Sequence, residues 1–266
     1  MNKKIGFIGS GKMAQAMIKG ILSSATYAPE QIKVSAKSDE TLNKVKRQYS
    51  VHATKDNTEV ARWADILFLA VKPDIHKEVI QEINAVVAEH TIIITVAAGI
   101  TLDDLESDFG KKIKAVRTMP NTPSFVGEGM SALSINDRVT SDDLEQVLAI
   151  FRSFGEVEVV AEKLMDSIPA ISGSSPAYVY MFIEALADGG VKDGIPREQA
   201  YRLAAQAVLG AAKMVLETGM HPGELKDQVC TPGGATIEAV SALELNGFRS
   251  AVLQAMESCT KKIKNL

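Results

Sequence analysis

The chain has 266 residues, 46% of them hydrophobic and 23% charged, with a formal net charge of −4 at pH 7. That balance is ordinary for a globular protein, and at ~100–200 residues per domain the length points to two domains. So mild a charge, with aromatics at 5%, gives no basis for a nucleic-acid or membrane-surface partner.

Cys230 and Cys259 are too few for a disulfide framework, and the scattered His52, His76, His90 and His221 lack metal-ligand spacing. A reducing, cytoplasmic setting is expected. The glycine-broken IGFIG run behind Lys3 and Lys4 is too short for a targeting segment. The longest apolar runs, ILFLAV (66–71) and TIIITVAAG (91–99), are strand-length, below the ~20 residues of a membrane helix.

In chain order, KKIGFIG reads as a buried strand ending in glycine. GKMAQAMIKGILSS follows as a helix, with Met13, Met17, Ile18, Ile21 and Leu22 near helical spacing. IKVSA (32–36) is a strand, DETLNKVKRQY a polar helix, and ADILFLAV (64–71) a strand. KPDIHKEVIQEINAVV is a helix beginning after Pro73, TIIITVAA (91–98) a strand, and KAVRTMPNTP (114–123) contains another. VTSDDLEQVLAIFRSF is a helix with Ser141 as N-cap, and EVEVVA (156–161) closes the first domain. This alternation predicts an α/β fold, a parallel sheet with helices on both faces, over residues 1–161.

From 162 to 266 the pattern is helical throughout. PAYVYMFIEALADGGVKDGI is apolar on nearly every side, as in a helix buried all round. REQAYRLAAQAVLGAAKMVLETG is a long helix stopped by Gly219. Two more helices are expected near Ile237–Leu245 and Phe248–Ile263. So many small and apolar faces predict packing against a partner chain, the alternative being packing on the first domain.

The opening segment fits two phosphate-binding patterns. Gly6 to Lys12 spells G-x-x-x-x-G-K, but Met13 stands where a P-loop needs Ser or Thr, and Gly6, Phe7 and Ile8 belong to the strand. Gly9 to Ala14 spells the dinucleotide fingerprint G-x-G-x-x-A. In it Gly9 makes the tight turn, Gly11 admits the pyrophosphate, and Ala14 lets helix and strand pack closely. After the second strand come Ser35, Lys37 and Ser38, suited to a 2′-phosphate. Asp39, which could serve NAD, is read as a helix-start residue, so NADPH is favoured over NADH. Lys72, in the loop after the ADILFLAV strand, could meet phosphate or substrate charge, or be a plain surface lysine.

A second site is expected at TPGGAT. Gly233 and Gly234 precede a helix whose first turn, Ala235 to Ile237, can cradle a carboxylate. The Thr236 hydroxyl can reach a ligand nitrogen or oxygen, or could equally cap the helix. ISGSSPAY (171–178) is a second turn into a helix, with Pro176 near its start. Ser174, Ser175 and Tyr178 stand where an alcohol dehydrogenase would want a lysine base. Reduction of an already protonated C=N bond, which needs little proton abstraction, fits better.

FIGSGKMA, LAVKP, MPNTP, SGSSPAY, ALADGGVKDGI and above all TPGGATI closely resemble pyrroline-5-carboxylate reductases, in order, from Lys4 to about Lys262. The resemblance implies a Rossmann domain followed by a helical substrate-binding and dimerisation domain, with dimers that commonly assemble into decamers. It implies reduction of 1-pyrroline-5-carboxylate to L-proline by NADPH or NADH, the last step of proline biosynthesis. By motif, Gly9, Ser10, Gly11, Lys12 and Met13 would face the pyrophosphate, and Ser35, Lys37 and Ser38 the adenosine ribose. Asn57, Ala70, Lys72, Pro73 and Ala97 would line the cofactor further along. Thr231, Gly234, Ala235 and Thr236 would hold the substrate, with Thr236 as the catalytic residue near the ring nitrogen. Thr231 stands where many relatives have Ser, and Gln228 where some have Asn. Three rivals share the plan: a β-hydroxyacid dehydrogenase, which would need a lysine that Pro176–Gly190 does not hold; a non-catalytic NADP(H)-binding regulator; and a reductase of another cyclic imine.

Overall fold

The computed structural model describes residues 3–265 and divides into two compact units. The first runs to Ser174, past the expected boundary at Ala161, and takes in the chain from Cys259 onward; the second is Ser175–Ser258.

The first unit is built on one eight-stranded sheet of order β3-β2-β1-β4-β5-β6-β7-β8. Its strands are β1 (Ile5–Ile8), β2 (Ile32–Ser35), β3 (His52–Thr54), β4 (Ile66–Leu69), β5 (Ile92–Thr95), β6 (Lys114–Met119), β7 (Gly129–Ile135) and β8 (Gly155–Val159). The helices are α1 (Lys12–Ser23), α2 (Asp39–Tyr49), α3 (Asn57–Trp63), α4 (His76–Ile83), α5 (Leu102–Phe109) and α6 (Ser141–Arg152). Strands β1, β4 and β5 are buried along their whole length, as parallel strands covered on both faces must be. One core cluster holds Phe7, Phe68 and Phe151 and lies under α1, α2 and α6; the other holds Leu67, Ile93 and Ala115 and lies under α3, α4 and α5.

Two local expectations need correction. The sheet is not all parallel: β7 pairs antiparallel to β6, with Val116 opposite Ile135, and parallel order resumes with β8. Also, Thr140, not Ser141, caps α6. Its hydroxyl accepts the Asp143 N–H at 3.2 Å while the Asp143 carboxylate takes the Thr140 N–H at 3.0 Å, a reciprocal pair that serves two otherwise unpartnered donors. The segment after Pro73 enters α4 through a 3₁₀ turn, Pro73–Ile75.

The second unit is helical: α7 (Ser175–Lys192), α8 (Arg197–Thr218), α9 (Pro222–Val229), α10 (Ala235–Leu245) and α11 (Phe248–Ile263), which runs on into the first unit. Gly219 ends α8 in the left-handed conformation, φ 64°. A π-helical turn, Pro169–Gly173, leads directly to α7, so Pro176 sits in an ongoing helical path. Within the single chain only Ala187 of α7 is buried and Met181 is 69% exposed, so the all-round burial expected of this helix would need a partner chain. Its second apolar face lies open, as for a helix whose remaining cover must come from outside the chain. Among the described residues no helix is long and apolar enough to cross a membrane.

Candidate active site

The carboxyl ends of four neighbouring strands lie level. Ile8 is in register with Ser35 on one side and Leu69 on the other, and Leu69 is in register with Thr95. The chain runs outward from β1 to β3, then restarts at β4 on the other side of β1. The loops after β1 and β4 therefore part at the switch point where open α/β sheets take ligands.

The turn after β1 is built for that crevice. Gly9 has φ +95°, and a Cβ there would lie 2.5 Å from the Ala70 carbonyl oxygen, so glycine is required twice over. Gly11 differs: its φ is −69° and a Cβ would meet nothing within 4 Å. Neither backbone strain nor packing within the chain calls for glycine there, whereas a phosphate approaching the backbone does. Gly11 is also the N-cap of α1 and offers no side chain to its free N–H groups, which leaves the helix end open to an anion. Ser10 turns its hydroxyl inward, donating to the Ser35 carbonyl at 2.9 Å, so the serine has only backbone to offer a ligand. Lys12 is exposed, Met13 packs on the core, and Ala14 is buried against the sheet.

At the end of β2, Ser35 is buried and its hydroxyl donates to the Asn57 side-chain Oδ1 at 2.7 Å; the Asn57 side-chain amide N–H donates to Glu82 at 2.7 Å. Ser38 caps α2, accepting the Thr41 N–H at 3.2 Å. Asp39 starts that helix and pairs with Lys55 at 2.7 Å. Lys37 is exposed and, among the described residues, has no ion pair. The Ser35 and Ser38 hydroxyls are thus engaged within the chain, and Lys37 is the exposed cation left at this turn. Beyond β4 and β5, Lys72 and Pro73 face Ala98, Gly99 and Ile100 across a cleft of about 510 Å³. Ala97 beside them is buried, its N–H donated to the Thr95 hydroxyl at 3.2 Å.

Buried polar residues that the sequence reading passed over stand behind these loops. His76 is 1% exposed, with Nε2 3.0 Å from the Thr95 hydroxyl. Burial pushes its imidazole pKa down, against the opposing pull of Asp108 and Asp104. Asn121 ties the MPNTP loop in two directions, donating to the Ser172 carbonyl at 2.9 Å and accepting the Met130 N–H at 2.9 Å. Arg117, a charged residue inside the strand β6, is the one sequence signal that could have pointed to this group.

The TPGGAT segment lies in the helical unit. Gly233 has φ +67°, and Gly234 is the N-cap of α10 with no side-chain cap. A Cβ on Gly234 would lie 2.3 Å from the Thr231 hydroxyl, so the hydroxyl is packed over the turn. Ala235 and Thr236 are the first two helical residues, which excludes Thr236 as the cap. The half-buried Thr236 hydroxyl is thus set beside an open helix N-terminus that can accept a carboxylate.

Comparisons with known proteins agree over the whole chain. Residues 162–266 match the family model of pyrroline-5-carboxylate reductase dimerisation, and residues 4–99 that of the coenzyme F420-dependent NADP oxidoreductases. The chain is 50% identical to the pyrroline-5-carboxylate reductase of Escherichia coli, over 100% of this chain and 99% of that one. It is 40% identical to the Arabidopsis thaliana enzyme, over 99% and 95%. Among solved structures, Plasmodium falciparum pyrroline carboxylate reductase with NADP bound superposes with a TM-score of 0.90 at 36% identity, covering 99% of this chain and 98% of that one. The Coxiella burnetii enzyme gives 0.92 at 36% identity, covering 100% and 98%. The chain belongs to the pyrroline-5-carboxylate reductase family.

Proposed function

We propose that the protein reduces 1-pyrroline-5-carboxylate to L-proline with NADPH, NADH being the alternative donor. Full-length identity of 50% to a reductase of that name carries the assignment. Bound reduced nicotinamide supplies a hydride; with a proton on nitrogen, C=N becomes CH–NH.

The chain's own residues bind and orient. The β1 turn, Gly9 to Met13, presents the open N-terminus of α1 to the pyrophosphate, with Gly11 leaving it room. Lys37, with Ser35 and Ser38 shaping the turn around it, selects the 2′-phosphate. Asn57, Ala70, Lys72, Pro73 and Ala97 line the cofactor beyond, from the loops and helix start along the same sheet edge. In the helical unit, the α10 N-terminus at Gly234 and Ala235 holds the carboxylate, Thr231 buttresses the turn, and Thr236 stabilises the ring nitrogen or passes it a proton. Such positioning alone supplies much of a barrier reduction.

The dimerisation match and the open α7 face support a homodimer, which we take as the unit of a decamer in a cytoplasmic setting. Loss of NADPH absorbance on adding 1-pyrroline-5-carboxylate, with NADH in parallel, tests the assignment. Saturable oxidation is expected, and faster with NADPH. NADPH binding without turnover on this imine would redirect the assignment to another cyclic imine or to a regulator.

A further inference from the structure

The loop from Val96 to Thr101 joins β5 to α5 and carries Ala97 together with the cleft residues Ala98, Gly99 and Ile100. Among the described residues, the N–H groups of Ala98, Gly99 and Ile100 make no hydrogen bond within the chain. The shape of this stretch is therefore set at its two ends.

At the β5 end the anchor is Thr95, fully buried. Its carbonyl accepts the Thr118 hydroxyl at 2.8 Å and its hydroxyl takes the Ala97 N–H at 3.2 Å. At the α5 end Thr101 is held by a reciprocal capping pair with Asp104, its N–H donating to the Asp104 carboxylate at 2.9 Å and its hydroxyl accepting the Asp104 N–H at 3.0 Å. A second anchor, on the next residue, comes from 60 positions away in sequence. Glu162 Oε1 accepts the Leu102 N–H at 2.7 Å. Leu102 is the first residue of α5, where the backbone donor has no partner inside the helix. A carboxylate there also meets the positive end of the helix.

Glu162 is itself braced. Arg117 Nη1 stands 3.5 Å from the same oxygen, and Nη2 is 2.6 Å from Asp166 Oδ1. The Arg117 side chain is 2% exposed, against 31% for Glu162 and 39% for Asp166. A buried guanidinium needs such carboxylates, since removing a partner leaves an uncompensated charge. The same cation that demands Glu162 thereby holds it against α5. Thr95 and Arg117 are register partners on adjacent strands, so both anchors rise from one level of the sheet.

We propose that Glu162, braced by Arg117, is a positioning residue of the reductase: it fixes the α5 end of the Val96–Thr101 loop and so sets the backbone that this loop presents to the cofactor. The inference rests on the reading that this loop and the β1 turn line one cofactor site.

The test measures NADPH dissociation constants by calorimetry, with melting temperatures and both KM values, on the full chain. Glu162→Ala leaves Arg117 its Asp166 partner. It is expected to weaken NADPH roughly tenfold, the scale of a displaced positioning contact, with the KM for the imine within about twofold. Glu162→Gln keeps an acceptor for the Leu102 N–H and should recover most of that affinity. A purely structural Glu162 would lower the melting temperature and leave the NADPH affinity of the folded protein unmoved, which overturns the proposal. If Glu162→Ala does not fold, Glu162→Asp, which keeps the charge and withdraws the oxygen by one methylene, carries the same test. Gly11→Val separates the two levels, because its side chain enters open space. If Gly11→Val abolishes NADPH binding and the Glu162 variants do not weaken it, only the positioning role falls. If Gly11→Val binds NADPH normally, the cofactor-site reading falls and takes the positioning role with it.

Discussion

Phe68 and Phe182 are both aromatic residues on regular elements, yet Phe68 is fully buried and Phe182 is 38% exposed. Phe68 stacks on Phe7 at 4.5 Å between ring centroids, inside a sheet covered by its own helices. Phe182 meets Phe248 at 6.0 Å, at an apolar groove it shares with Met181, Leu186 and Val252. Helices α1 to α6 each bury an apolar stripe within the chain. Helices α7 and α8 bury only Ala187, Ala200 and Ala204, and α9, α10 and α11 bury no residue. Sequence hydrophobicity measures the need for cover, and it does not say which chain supplies it.

The sharpest way to break this contrast is to truncate both rings. Phe68→Ala should cost about 3–5 kcal/mol, as for a large aromatic removed from a closed core, with the concentration dependence of melting left as in the unaltered protein. Phe182→Ala should instead give a loss that grows as the protein is diluted, because assembly contributes to its stability. Equal concentration dependence in the two variants would erase the distinction between the units.

The units should also divide the chemistry. Thr236→Ala, in the helical unit, is expected to lower kcat about 100-fold, the scale of one lost proton-transfer or charge-stabilising group, with NADPH affinity little changed. Unchanged turnover would remove Thr236 from the reaction. Lys37→Ala, in the sheet unit, should narrow the preference for NADPH over NADH about fivefold through the lost phosphate contact, with kcat intact. A preference that stays put would return Lys37 to the status of a plain surface charge.

The smallest effect belongs to His76. Burial holds its folded pKa below the unfolded value of about 6.5. The unfolded chain therefore binds the extra proton first, and stability present above that value is lost as the pH falls toward the folded pKa. Urea midpoints measured at pH 7.5 and 5.5 should differ less in His76→Met than in the unaltered protein. An identical pH dependence in the two would show that His76 does not contribute.

Where local pattern and tertiary role coincide, the sequence was readable. DETLNKVKRQY is α2 from end to end, and Phe248–Ile263 is α11 to the residue. Both have a start signal, Ser38 before α2 and Gly247 before α11. The short β3, His52–Thr54, was missed because three half-exposed residues carry no period, and β7 because its serines and glycine conceal a buried strand. Helix α9, two turns long and opened by Pro222 at its first position, is too short for its few apolar residues to show a helical period. The glycines of the β1 turn and of the TPGGAT turn were legible because they act locally. Glu162 and Asn121 were not, since their partners lie 60 and 51 positions away, and no window along the chain joins them.

A Cβ on Gly11 meets nothing in the folded chain, so natural variation filtered only for expression and solubility should let that position drift. Variation filtered for growth without supplied proline should return glycine. Comparing the two spectra residue by residue would chart the ligand's outline from genetics alone, as the set of positions where folding is indifferent and turnover is not.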